Sequence, residues 1–131
     1  MLILSALASS PQDAPPCDCA DVQAAAIVCL KEMQMSAQVK HIEMQPDRMG
    51  NHVNFRGVAV FELMVGKNGH VLEAKVISGH PLAVPLLMGS VNKWRFRPLL
   101  RDGAAWRVCG RLSVKFSVVE NQPKLVKVVR P

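Results

Sequence analysis

The residues that could do chemistry in this chain are scattered rather than clustered. Four cysteines, Cys17, Cys19, Cys29 and Cys109, are an even number, and in an exported chain that points to disulfides. Cys17 and Cys19 are too close for an easy bridge to each other. One of them with Cys29 or Cys109 is the better pairing, because it would tie down the N-terminal arm. Zinc needs ligands at paired spacings, yet His41, His52, His70 and His80 fall ten or more residues apart with no Cys-x-x-Cys beside them. Nucleophilic catalysis asks for a nucleophile, a base and an orienting acid. Ser78 and His80 share a turn, but no acid stands out as orienter. Glu62 and Glu73 come near one another across a hairpin, where pairing with Lys67 or Lys75 at the surface is the simpler role. The expectation is a chain that is not an enzyme and uses no cofactor or metal.

Charge narrows the partners. Residues 1–57 carry four Lys/Arg against six Asp/Glu, a net of −2, whereas residues 58–131 carry twelve against four, a net of +8. A basic half attracts phosphate, anionic lipid or an acidic protein segment. Trp94, Phe96 and Trp106 in that half raise nucleic-acid binding as an alternative, which requires exposed aromatics beside a basic groove. Trp94 and Phe96, two apart in an extended run, instead share one face and turn inward. Only Trp106, near a turn, is left to meet solvent. No nucleic acid is therefore expected. Met1 to Ala8 is an apolar stretch closing on Ala-Leu-Ala, as at the end of an export signal. No stretch approaches the roughly 20 apolar residues of a membrane span.

At 131 residues the chain suits one domain. We divide it into an arm over 1–17, a domain over 18–119 and a basic tail over 120–131. Val22, Ala25, Ala26, Cys29 and Met33 recur at helical spacing and predict a first helix over 20–37, with Cys29 buried. Residues 40–45 are a short extended candidate, followed by a loop over 46–56. Val58 to Val65 alternates as a strand with Ala59, Phe61, Leu63 and Val65 inward. Gly66-Lys67-Asn68-Gly69 predicts a tight turn with positive φ at Asn-Gly. The return strand, 70–78, places Leu72, Ala74 and Val76 inward. A helix starts near Pro85 and carries Leu86, Leu87, Ser90, Val91 and Trp94 on one stripe. Trp94-Arg95-Phe96-Arg97-Pro98 then joins that helix to a further turn at Asp102-Gly103. The closing strand, 107–119, turns Val108, Leu112, Val114, Phe116 and Val118 inward and Arg107, Cys109, Arg111, Ser113, Lys115 and Ser117 outward.

This ordered set resembles the C-terminal domain of TonB-type energy transducers. The matching pieces are Gly57, Asn68-Gly69, Ser78-Gly79, Trp94-x-Phe96-x-Pro98, Asp102-Gly103 and the strand from Val108 to Val118, covering most clearly residues 57–119. The resemblance implies an α+β, two-layer domain: a three-stranded antiparallel sheet, with room for a fourth short strand, packed on one face by two helices. It also implies a periplasmic, non-enzymatic module that grips an extended segment of an outer-membrane receptor or other envelope protein by strand addition. In the family the last strand receives the peptide, which carries over onto Arg107, Cys109, Arg111, Ser113, Lys115 and Ser117. Arg107, Arg111 and Lys115 on one face favour an acidic partner. Energy transducers also have a membrane helix and a long proline-rich spacer. This chain shows neither, so the expectation is a stand-alone domain that scaffolds, competes or adapts. Leu125 to Val129 alternates like a strand, and is expected to cover a sheet edge in cis or across a homodimer.

Overall fold

The computed structural model describes residues 27–48 and 54–129. In chain order these form β1 (Ile27–Cys29), α1 (Glu32–Ala37), β2 (Val39–His41), β3 (Phe55–Val65), β4 (Val71–Ser78) and α2 (Ala83–Ser90), which runs into a 3₁₀ turn at Val91–Lys93. β5 (Arg95–Phe96), β6 (Leu99–Arg101), β7 (Ala104–Val119) and β8 (Gln122–Val128) follow. The protein is mixed α+β, with two helices among the described residues and a curled sheet of many strands.

The three expected strands are present as the antiparallel set β4–β3–β7. The three-stranded count is corrected, however, because β1, β6 and β8 all pair with β7 and bring the sheet to six strands, while β2 and β5 form a separate two-stranded ribbon. Five of these additions span only two to seven residues. The extended candidates at 40–45, Trp94–Phe96 and Leu125–Val129 correspond to β2, β5 and β8, whereas β1 and β6, at three residues each, are too short to show a period and escape alternation.

The first helix needs a larger correction. Residues 20–26 lie outside the described residues, and Ile27–Cys29 is a strand running parallel to β7 in register with Arg107–Cys109. Ile27 and Val28 are β-branched and stiff at χ1, which favours the extended chain. The Leu30 amide continues the ladder by donating to the Cys109 carbonyl at 2.8 Å. Helix forms only from Glu32, where Gln34 Oε1 accepts the Lys31 amide at 2.9 Å. Met33, expected on the buried stripe, is 65% exposed, and Met35 takes its place in the core.

The core lies on one face of the sheet. Ala59, Phe61, Leu63 and Val65 from β3 meet Val108, Leu112, Val114, Phe116 and Val118 from β7, as alternation predicted. Met35 from α1, Ala83 and Leu87 from α2, and Trp94 and Phe96 close over them. Phe61 and Trp94 pack edge to face with ring centroids 5.5 Å apart. Leu72 departs from its expected place and stands exposed. A bulge is the reason: Val65 pairs with Val71 and Met64 with Glu73, so Leu72 is left over and Val71 joins the core.

The Gly66–Gly69 turn is also not the mirror-type hairpin expected of Asn-Gly. Asn68 keeps a negative φ, and Gly69 alone takes φ 84°. The Gly69 amide donates to the Gly66 carbonyl at 3.0 Å, while the Gly69 carbonyl accepts from the Phe96 amide at 2.9 Å. A Cβ on Gly69 would collide with the Phe96 carbonyl oxygen. The second turn, Asp102-Gly103, has both residues at positive φ and does match a two-residue mirror hairpin, with nothing near a Cβ on Gly103. The two glycines thus separate strain from collision. Gly103→Ala is expected to cost about 1 kcal/mol from φ alone, and Gly69→Ala about 3 kcal/mol or more because the obstructing atom is backbone. Urea denaturation of both variants checks this; equal losses would show that the Phe96 contact does not fix the turn.

Candidate functional site

Strand addition requires an open sheet edge, so the placement of β7 decides where one can be. Its inner neighbour is β3, paired from Phe55↔Val118 to Val65↔Val108. Its other side is taken by β1 along Arg107–Cys109 and by β8 along Val114–Val119. Between them α1 closes the gap, with Ser113 Oγ donating to Glu32 Oε2 at 2.9 Å. The expectation that β7 offers a free edge is therefore corrected: it is the central strand of the sheet. Cys109 is fully buried and Ser113 is 8% exposed, although both point to the expected outer face. Alternation assigns a face and cannot say what covers it.

The other expected edge residues are spread out rather than gathered. Arg107 is exposed beside β1, and Ser117 is half-buried opposite Arg56. Arg111 reaches toward Glu62, with Nε 4.0 Å from Oε2, and that Nε is buried without a hydrogen-bond partner. Lys115 alone stands exposed where another strand edge begins. Cys29 and Cys109 are each disulfide-bonded, while Cys17 and Cys19 lie outside the described residues. Gly57 pairs with Phe116, and Ser78 and Gly79 end β4 at an exposed corner. Pro98 separates β5 from β6. His80 does not face Ser78: its Nδ1 accepts the Leu82 amide at 3.0 Å and its ring stacks on Phe55 at 5.0 Å.

β8 supplies the edge that β7 does not. The tail expected to cover an edge does so in cis, pairing Val114↔Val128, Lys115↔Lys127, Phe116↔Val126 and Ser117↔Leu125. It is reached through a two-residue turn in which Glu120 and Asn121 both take positive φ, 51° and 69°. No glycine advertises this turn in the sequence. It is held from outside, the Glu120 amide donating to Asn54 Oδ1 at 2.7 Å and the Asp47 amide to the Asn121 carbonyl at 2.8 Å.

The Val129 amide donates to the Ser113 carbonyl at 2.9 Å. Backbone groups alternate sides along a strand, so Lys127 and Leu125 also address β7, and those of Val126 and Val128 turn away from it. A groove of about 680 Å³ lies there, lined by Val126 to Val129 and Lys115 on one wall and by Val39 to Ile42 on the other. The opposite wall is β2, carried on the ribbon with β5. Of the basic residues expected on the β7 edge, Lys115 alone lines this groove, and β8 supplies the rest of that wall.

Compared with protein-family models, curated proteins and solved structures, the chain matches none. Its function rests on its own residues. Among the described residues no three His, Cys, Asp or Glu side chains gather as a metal site, and no helix is long and apolar enough to cross a membrane.

Because β8 covers Val114–Val119, deleting residues 121–131 is expected to open that part of β7 and produce concentration-dependent oligomers in sedimentation velocity. A truncated protein that sediments like the full chain would show that the edge is closed by something other than β8.

Proposed function

We propose that this protein is a non-enzymatic interaction module of the bacterial periplasm, resembling the C-terminal domain of TonB-type transducers, which holds an extended segment of an outer-membrane receptor or other envelope protein by strand addition. The observation that carries the proposal is the outward backbone of Val126 and Val128 beside an open groove. An extended chain laid there gains hydrogen bonds from β8 while alternate side chains meet Val126 and Val128 or the lysines between them. The acceptor is the outer side of β8 rather than β7. The ordered motifs from Gly57 to Val118 support the family resemblance, and the signal-like Met1 to Ala8 supports export.

A variant that removes only an outward donor tests this. Proline is tolerated at strand edges and has no N–H, so Val128→Pro deletes a groove-facing donor and leaves the β7–β8 bonds of Lys127 and Val129 in place. Wild type is expected to retain envelope receptors from membrane extract and Val128→Pro to lose them. Hydrogen exchange at Val126 and Val128 is expected to slow when the captured partner is added back. Equal recovery by both proteins, or unchanged exchange, would rule out strand addition at β8.

A second reading, an envelope scaffold that pairs with its own copy, is favoured by β4. Among the described residues β4 pairs along its length with β3 alone, its start being bridged by Arg95, and Leu72, Glu73, Lys75 and Ile77 are exposed. Two copies pairing antiparallel about Ala74 would set Glu73 opposite Lys75 on each side of the two-fold axis. Glu73→Lys should then weaken self-association measured by sedimentation, and mixing it with Lys75→Glu should restore it. A wild-type chain that stays monomeric at high concentration would exclude this reading.

A further inference from the structure

We infer that the segment taken by the β2–β8 groove is acidic, with carboxylates at alternate positions. This inference rests on strand addition at β8 and adds the chemistry of the partner. Lys115 and Lys127 are directly opposed on antiparallel strands, and both side chains are exposed. Like charges in that position repel, and a well-matched strand pair avoids them. Lys40 and His41 stand on the facing wall of the same groove.

These charges are not neutralised from within the described residues. The ion pairs found there join His41 to Glu43, Lys93 to Glu43 and Arg111 to Glu62, and none involves Lys40, Lys115 or Lys127. Of the nearby carboxylates, Glu43 lies 2.9 Å from His41 Nε2 and is shared with Lys93, and Glu32 accepts a hydrogen bond from Ser113 Oγ. Three lysines therefore line one open channel without an ion-pair partner among the described residues. The other face of the same strand is apolar, because Val126 and Val128 turn toward the core side opposite Phe116 and Val114. An extended segment fits both properties when apolar and acidic residues alternate, since successive side chains on a strand point to opposite faces. The valines then meet the apolar positions and the lysines meet the carboxylates. A nucleic acid would bring phosphates to the lysines and leave Val126 and Val128 without apolar partners, so a peptide is the better match.

The test uses the full chain and three fluorescent eight-residue peptides, alternating Val with Glu, Gln or Lys, followed by anisotropy at low salt. Two or three exposed ion pairs together predict that the Glu peptide binds about tenfold tighter than the Gln peptide. The advantage should shrink as salt rises. Lys115→Glu with Lys127→Glu should reverse the order, so that the Lys peptide binds best. Circular dichroism of this variant confirms that it is folded, and Lys127→Gln alone, which should level the Glu and Gln peptides, serves as the milder substitution.

The outcomes separate the two claims. Equal binding of Glu and Gln peptides, both lost in Val128→Pro, would keep strand addition and overturn the acidic preference. Glu-peptide binding that survives Val128→Pro would keep the lysine site and overturn strand addition. Binding of none of the peptides would overturn both. Displacement of the Glu peptide by an equal concentration of a thymidine oligonucleotide would overturn the assignment to a peptide.

Discussion

The carbonyl oxygen of Glu43 accepts two hydrogen bonds, from Trp94 Nε1 at 2.8 Å and from Ser90 Oγ at 2.7 Å. Both donors are fully buried, so neither can exchange its partner for water; Ser90 Oγ also reaches the Leu86 and Leu87 carbonyls within its own helix, whereas losing the Glu43 carbonyl would strand the Trp94 N–H in the core. These two hydrogen bonds fix the chain after β2 to the end of α2. Two residues on, Phe96 pairs with Val39 and donates its amide to the Gly69 carbonyl. The Trp94–Pro98 run is thereby tied at once to β2, to the β3–β4 turn and to the core ring of Phe61. The wall of the groove that β2 provides has no other pairing strand among the described residues. Its position follows from the indole.

The opposite wall depends on a different kind of interaction. β8 has little of its own to recommend it as a strand: Pro123 lacks an amide hydrogen, a bulge falls between Ser117 and Val118, and two lysines oppose each other. Its approach turn holds Glu120 at positive φ, a conformation that costs a side-chain-bearing residue on the order of 1 kcal/mol. Burial of Val126 and Val128 against the core and the external bonds from Asn54 and Asp47 offset these costs. β8 therefore stays where it is because of what lies under and beside it, not because its sequence is a good edge.

Most of the fold was legible where a segment was long enough to show a period. The inward sets of β3 and β7 are those that alternation predicts, and Trp94 and Phe96 are buried as residues two apart on one face should be. What was not legible arises from interactions between distant segments. Ile27–Cys29 sits within a helical stripe by spacing, yet three residues can follow either period, and the unpaired side of β7 decides the matter. Leu72 is misplaced by a single bulge, which no pattern in β4 itself reveals. Cys109 and Ser113 were rightly assigned to the outer face and wrongly taken as open, because β1 and α1 come from a part of the chain read as one helix. The candidate site failed in the same way. Leu125 to Val129 was recognisable as a strand, whereas the consequence, that pairing moves the usable edge from β7 to β8, needs the register.

That displacement changes which charges matter. On β7 as a free edge, Arg107, Arg111 and Lys115 would have formed one basic row. With β7 central, Arg107 lies beside β1, Arg111 turns to Glu62, and the row is broken. Lys115 alone remains at the new edge, and β8 adds Lys127 directly opposite it while β2 adds Lys40 across the groove. Covering the first edge thus rebuilds a basic strip one strand further out, from the two strands of the closing hairpin and the distant β2. A tail whose only role was to close the sheet would satisfy that role better with a carboxylate at position 127, pairing with Lys115 across the strands. The lysine there forgoes that pairing and leaves both charges facing the groove, where an incoming carboxylate can meet them together.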